Sequence, residues 1–145
     1  MSINVKIAKA HSSQLQDEDT KREIESISYA INNAEINYND NAINFVFIKG
    51  IYRHTERKMI TACLFVNKMQ TITELHGILR LRFIKENAAI ATVTVDFDRD
   101  FMGEVENNGA LLVHFGIPVK GLSADKEFTF SDIQGEFSDV RVTSK

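Results

Sequence analysis

The sequence contains few of the residues from which recognisable sites are often built. Its 145 residues include one cysteine, one proline and no tryptophan. The single cysteine, Cys63, excludes an internal disulfide and a zinc site made from several cysteines. Because Cys63 alternates with Thr61 and Phe65 in an apolar run, we predict a small buried side chain rather than a reactive thiol.

Charge of one sign does not accumulate in this chain, and long apolar runs are missing. The net charge is -3 and the isoelectric point is near 5.8, with no stripe of Lys and Arg, so we predict no nucleic-acid partner. The N-terminal residues contain no apolar core of a signal peptide, and no later run is long enough to span a bilayer. These absences predict a cytoplasmic protein that has no membrane partner.

Catalytic motifs are also missing. There is no nucleophile elbow, no phosphate-binding glycine loop and no dinucleotide fingerprint, so we predict that the chain is not an enzyme and has no cofactor. No two histidines, and no histidine and glutamate, are spaced as metal ligands on one face of a helix would be. We therefore expect surface or hydrogen-bonded positions for the four histidines, His11, His54, His76 and His114.

Alternation of apolar and polar residues is the strongest pattern that is present. Ala91, Val93, Val95 and Phe97 alternate with polar residues, which is typical of a half-buried strand. Similar runs predict strands near residues 43–53, 59–69, 71–84 and 111–117, and one or two closing strands between 128 and 142.

One early helix followed by many strands predicts an immunoglobulin-like antiparallel β-sandwich with one N-terminal α-helix. Residues 1–40 would form the arm and helix, and residues 41–145 the sandwich, as a single folded unit. Because Pro118 is the only proline, we expect charges or the helix to protect the edge strands.

The helix is indicated by its N-terminus and by its apolar stripe. Thr20 and Glu23 form a candidate capping box, and an asparagine-rich stretch from residue 32 ends the helix. Ile24, Ile27 and Ile31 lie on one face at helical spacing. This stripe is predicted to dock on the sheet, and the alternative is that it binds a partner or a second copy of the chain.

Acidic residues near the end of one predicted strand resemble the start of a calcium loop. The candidate ligands are Asp96, Asp98, Asp100 and Glu104. However, the glycine expected after the third aspartate is Phe101, and the glutamate expected at the twelfth position is Asn107. A solvated strand end is therefore favoured over a metal site.

Two arginines, Arg80 and Arg82, lie on the predicted solvent face of one strand. They could receive an acidic peptide from a protein partner. The favoured alternative is that they balance carboxylates on the next strand.

Residues 41–120 resemble the SLAP-type domain of Firmicutes, which occurs in S-layer assembly proteins associated with the accessory Sec system. The resemblance is carried by Asn41, Ile43, Ile48, Asn67, Ala91, Phe97, Asp98, residues 102–105 and Phe115. The family's tryptophan near the last strand is absent, and Asn107 and Asn108 stand where prolines are usual. The resemblance implies a cytoplasmic accessory factor that acts by binding during the secretion of surface proteins.

These observations favour a non-catalytic protein-binding module, chaperone-like or accessory to export, whose partner is the precursor of a secreted or surface protein. Binding would use strand addition at an exposed edge or an apolar patch. The alternatives are a self-assembling protein that forms a homodimer, and a β-sandwich that binds calcium or a small ligand.

Overall fold

The computed structural model describes residues 2–145, which form eight strands and three helical segments. The strands are β1 (Asn4–Ile7), β2 (Ile43–Arg53), β3 (Lys58–Asn67), β4 (Ile72–Phe83), β5 (Ala88–Phe97), β6 (Gly109–Pro118), β7 (Lys126–Thr129) and β8 (Ile133–Ser144). The helical segments are the 3₁₀ helix η1 (Lys9–Gln16) and the α-helices α1 (Glu18–Asn33) and α2 (Arg99–Met102).

The strands form two sheets that pack against each other. Sheet A has the order β1-β6-β3-β2-β7, and sheet B has the order β5-β4-β8. All pairings are antiparallel except that of β1 with β6, which is parallel. The predicted antiparallel β-sandwich with an N-terminal helix is therefore confirmed, with one parallel pairing added at its edge.

Aromatic side chains fill the space between the two sheets. The ring of Phe65 is 2% exposed and lies 5.1 to 6.4 Å from the rings of Phe45, Phe97, Phe115 and Phe137. These mostly edge-on contacts are the arrangement that aromatic rings prefer. The interior is thus one apolar layer built from alternate residues of the strands.

Cys63 belongs to this layer and is fully buried, as its alternation predicts. Burial raises the pKa of the thiol to about 12, although a hydrogen bond to Thr61 acts in the opposite direction. Since the thiolate is the reactive form, Cys63 is an inert core residue at neutral pH.

Helix α1 covers the outer face of sheet A. It begins at Glu18, and the side chain of Asp17 caps it by accepting a hydrogen bond from the amide of Asp19 at 3.1 Å. The prediction that Thr20 caps the helix was therefore wrong, since Thr20 lies inside the first turn. Asp17 is itself a favoured capping residue, and the cap lies three positions nearer the N-terminus than predicted.

The isoleucine stripe of α1 docks on the sheet, as its spacing favours. Ile27 and Ile31 are 4% and 5% exposed, and Ile24 is half-buried in the same cluster. Their neighbours on the sheet include Leu64 and Leu112. The stripe consequently presents little surface to a partner while the helix stays on the sheet.

The N-terminal segment is part of the same packed unit as the sandwich. β1 pairs with the first four residues of β6, and the side chain of Asn32 exchanges hydrogen bonds with the backbone of Ile3 at 2.7 and 3.0 Å. The polar residues 11–16 are part of η1. Residues 2–40 therefore contribute a strand and two helices to the unit that residues 41–145 complete.

Candidate functional site

The edge strand β5 differs from the other edges of the two sheets. It has ten residues and pairs only with β4. Residues 88–95, of sequence AAIATVTV, contain no charged residue and no proline. An edge of this kind presents unpaired backbone N–H and C=O groups that another strand can bind.

The remaining edges carry devices that hinder strand addition. β1 and β7 have only four residues each. β8 is longer, but it carries Glu136, Asp139 and Arg141, and its pairing with β4 shifts register around Asp139, whose φ is 52°. Short length, charge and bulges each discourage pairing with another chain.

The expectation that charge or the helix would protect each edge is therefore wrong for β5. The feature of β5 that hinders pairing is a register shift opposite Leu81 and Arg82. Beyond this shift, residues 91–97 form a regular run. The helix α1 lies on sheet A and so is not available to cover this edge of sheet B. Residues 91–95 are left as a neutral, regular and open edge.

A second free edge faces β5 across the sandwich. β1 pairs with β6 only as far as Leu112, so residues 113–118 of β6 have a neighbour on one side alone, which is β3. Between the two edges lies a cleft of about 750 Å³, lined by residues 89–94 of β5 and 116–120 at the end of β6. We call this space the edge cleft.

The two sheets are closed at the opposite side of the sandwich. There the backbone of Gly135 in β8 lies against the ring of Phe45 in β2, so closely that an added Cβ would overlap the ring. Glycine is the residue that permits such close approach. The contrast shows that the opening at the edge cleft is local to β5 and β6.

The walls of the edge cleft combine apolar side chains with Thr92, Thr94 and Lys120. Of the apolar lining residues, Ala91 and Val93 of β5 are half-buried and Ile117 of β6 is 2% exposed. Further along β5, Phe101 of α2 packs on Phe97, with 4.9 Å between the ring centroids. A partly apolar cleft beside unpaired backbone groups can hold an extended chain.

The local sequence explains why the cleft stays open. The inward-pointing residues of β5 that line the cleft, Ala91 and Val93, are small. Larger residues at these positions would fill the space between the sheets, as the phenylalanines do elsewhere in the core.

The predicted calcium ligands do not converge on one point. Asp96 binds the Nδ1 of His76 at 2.5 Å, and Asp98 caps α2 by accepting a hydrogen bond from the amide of Phe101 at 2.9 Å. Glu104 pairs with Lys145 at 3.1 Å. Asp100 is exposed, and residues 2–145 hold no group of three or more His, Cys, Asp or Glu side chains arranged for a metal ion.

The two candidate arginines lie on the outer face of sheet B and are exposed, as the alternation predicts. Arg80 donates to the hydroxyl of Ser138 at 2.9 Å, and Arg82 donates to the side-chain oxygens of Asn87 and Gln134 at 2.9 and 3.3 Å. Within the part of the chain that is described, neither forms an ion pair. The predicted balancing by cross-strand carboxylates is thus replaced by neutral hydrogen-bond partners.

Sequence reasoning missed the edge cleft because it depends on which strands lack neighbours. The available signal was the AAIATVTV run itself, which reads as a strand yet has none of the charges that protect an edge. His114 binds Glu23 of α1 at 3.1 Å and so helps to hold the helix on β6.

No protein-family model, curated protein or solved structure matches this chain. Among residues 2–145, none of the helices combines the length and the apolar character that crossing a membrane requires.

Proposed function

We propose that this protein is a non-catalytic binding module that receives an extended segment of another protein as an additional strand on β5. We call this the partner segment. The observation that carries the proposal is the one-sided edge of β5, uncharged over residues 88–95, beside the edge cleft.

The physical basis is that the partner segment gains two kinds of interaction at once. Its backbone would satisfy the outward-facing N–H and C=O groups of β5, which are otherwise left to solvent. Its alternate side chains would enter the edge cleft and cover the half-buried Ala91 and Val93. Backbone pairing supplies affinity for many sequences, and the cleft supplies selectivity.

Within this general binding function, we propose a more specific role as an accessory or chaperone-like factor in the export of surface proteins. It is supported by the resemblance to SLAP-type domains and by the fact that an unfolded precursor offers extended segments. In this structure Asn67 and Gly103, which carry part of that resemblance, occupy structural positions: Asn67 is 1% exposed, and Gly103 has a φ of 71°. The resemblance therefore supports a shared architecture, and the binding proposal rests on β5.

To supply extended segments, the experiment uses another protein that has been reduced and carboxymethylated so that it cannot refold. We expect it to shift the backbone NMR signals of β5 and of residues 113–118 of β6. Ala91→Trp, which fills the edge cleft, should abolish binding, whereas Val140→Trp on the edge strand β8 should leave it unchanged. Signal changes confined to other surfaces, or equal binding by the two variants, would overturn the proposal.

Homodimerisation through the same edge is the second candidate. It is favoured by the lack of charge in residues 88–95, since two copies of β5 could pair antiparallel about a twofold axis and place Thr92 opposite Thr94. Sedimentation equilibrium over a wide concentration range tests it directly. A chain that stays monomeric throughout removes this candidate.

A further inference from the structure

Charge is distributed unequally between the two ends of the β5 edge. The β4–β5 turn and the strands beside it place three cations near Ala88, and we call Arg82, Lys85 and Lys120 the basic end. Arg82 lies opposite Ala89 in the pairing of β4 with β5, and Lys120 lines the edge cleft. All three side chains are exposed.

The cations of the basic end have no acidic partners. Lys85 and Lys120 form no ion pair anywhere in residues 2–145, and Arg82 donates only to the neutral Asn87 and Gln134. A smaller pocket of about 360 Å³ adjoins the edge cleft at Lys120 and brings His54 and Arg57 to the same side. Glu86 of the same turn is exposed and forms no ion pair in residues 2–145, so three cations stand against one carboxylate and this end keeps a net positive charge.

The other end of β5 is acidic. Asp96, which pairs with His76, is the last polar residue of the strand, and Asp98 and Asp100 follow it with a single cation, Arg99, between them. A segment lying along β5 thus meets positive charge at one end and negative charge at the other. Such an arrangement selects orientation as well as composition, because the wrong orientation places like charges together.

The size of the edge cleft decides between two occupants of this edge. A second copy of β5 would present Ala91, Val93 and Val95 to it, and these small side chains would leave most of the 750 Å³ unfilled. A segment with bulky apolar side chains at alternate positions fills such a space far better. The cleft therefore favours a different protein over a second copy.

The direction of the partner segment follows from the sheet it joins. Every pairing in sheet B is antiparallel, and antiparallel pairs are slightly more stable per residue than parallel ones. Because β5 runs from Ala88 to Phe97, an antiparallel neighbour ends near Ala88. Its C-terminal end would then lie at the basic end.

From these three features, we infer that the partner segment runs antiparallel to β5, inserts large apolar side chains into the edge cleft, and carries acidic groups at its C-terminal end. This inference rests on the proposed function and specifies the chemistry of the partner.

The test compares two peptides of identical composition with acetylated and amidated ends. Both have Leu and Phe alternating with Thr; one begins with two lysines and ends with two glutamates, and the other has these charges exchanged. By fluorescence anisotropy, we expect the peptide with the acidic C-terminus to bind about threefold to thirtyfold more tightly, since a few exposed ion pairs act together. The difference should shrink at high salt.

Matched variants locate the effect. Lys85→Gln combined with Lys120→Gln should remove most of the difference between the peptides. Lys21→Gln combined with Arg22→Gln removes the same charge from exposed positions on α1, where both cations already pair with acidic neighbours. We expect this control to retain the difference.

The outcomes separate the inference from the proposed function. Equal binding of the two peptides at β5 overturns the inference, and so does tighter binding of the peptide with exchanged charges. Both outcomes leave strand addition intact. Failure of both peptides and of the unfolded protein to bind overturns both proposals. A dimer whose β5 amides are protected shows that a second copy occupies the edge, and this also overturns the inference.

Discussion

Replacing Asn67 with alanine tests the most highly connected polar side chain of the interior. Asn67 is 1% exposed at the end of β3. Its amide donates to the carbonyls of Gln70 and Val105 at 3.0 and 2.9 Å, and its oxygen accepts from the amide of Met69 at 2.8 Å. One side chain thus holds the β3–β4 turn and the segment that leads into β6.

The expected loss of stability follows from these three bonds. Each hydrogen bond contributes about 1 kcal/mol net, and groups left buried without a partner cost more, so Asn67→Ala should lower the free energy of unfolding by about 3 kcal/mol. That is a large part of the roughly 5 to 15 kcal/mol typical of a domain. Asn67→Asp should be at least as harmful, because a carboxylate would face two carbonyl oxygens.

Urea denaturation followed by far-ultraviolet circular dichroism measures this loss. The matched control is Asn107→Ala, which removes a single exposed hydrogen bond to the carbonyl of Met69 at 2.8 Å. We expect the control to lose no more than about 1 kcal/mol. If Asn67→Ala and Asn107→Ala cost the same, the bonds of Asn67 do not organise this end of the sandwich.

Three further predictions concern the core. Ile27→Ala should cost about 2 to 4 kcal/mol in thermal or urea unfolding, because it leaves a cavity under α1 where the side chain is 4% exposed; a loss below about 1 kcal/mol would show that the helix is not firmly docked. Tyr38 has a hydroxyl that is buried without a hydrogen-bond partner among the described residues, and burial raises its pKa. Tyr38→Phe should therefore leave stability unchanged or raise it by about 1 kcal/mol, and a clear loss in the same assay would contradict this. Cys63 keeps its proton in the folded state up to a pKa of about 12, whereas the unfolded chain releases it near pH 9, so its contribution is complete below pH 9 and is lost as the pH rises toward 12. The free energy of unfolding should fall more steeply above pH 9 in the natural protein than in Cys63→Val, and equal slopes would refute the assignment.

Local pattern was sufficient for most strands. The apolar and aromatic run at residues 43–53 has the bounds of β2, and the alternation around Val93 and Val95 identifies β5. These predictions succeed because a strand that buries every second side chain shows alternating apolar and polar residues in its local sequence.

Features that depend on distant contacts could not be predicted in this way. The parallel pairing of β1 with β6 joins Val5 to Ala110, and nothing near either residue encodes that contact. The polar residues 11–16 gave no helical pattern, yet they form part of η1, whose His11 packs edge-on against Phe101. The edge cleft likewise exists because β1 stops pairing with β6 at Leu112, which is a property of the assembled sheets.

Amide hydrogen exchange along β5 tests the central claim most directly. In the free protein, the outward-facing amides of residues 88–94 should exchange quickly, because they have no strand to pair with. Addition of the peptide with the acidic C-terminus should protect these amides while leaving the edge of β8 unchanged. Binding of that peptide without any new protection in β5 would contradict the claim that this edge receives a strand.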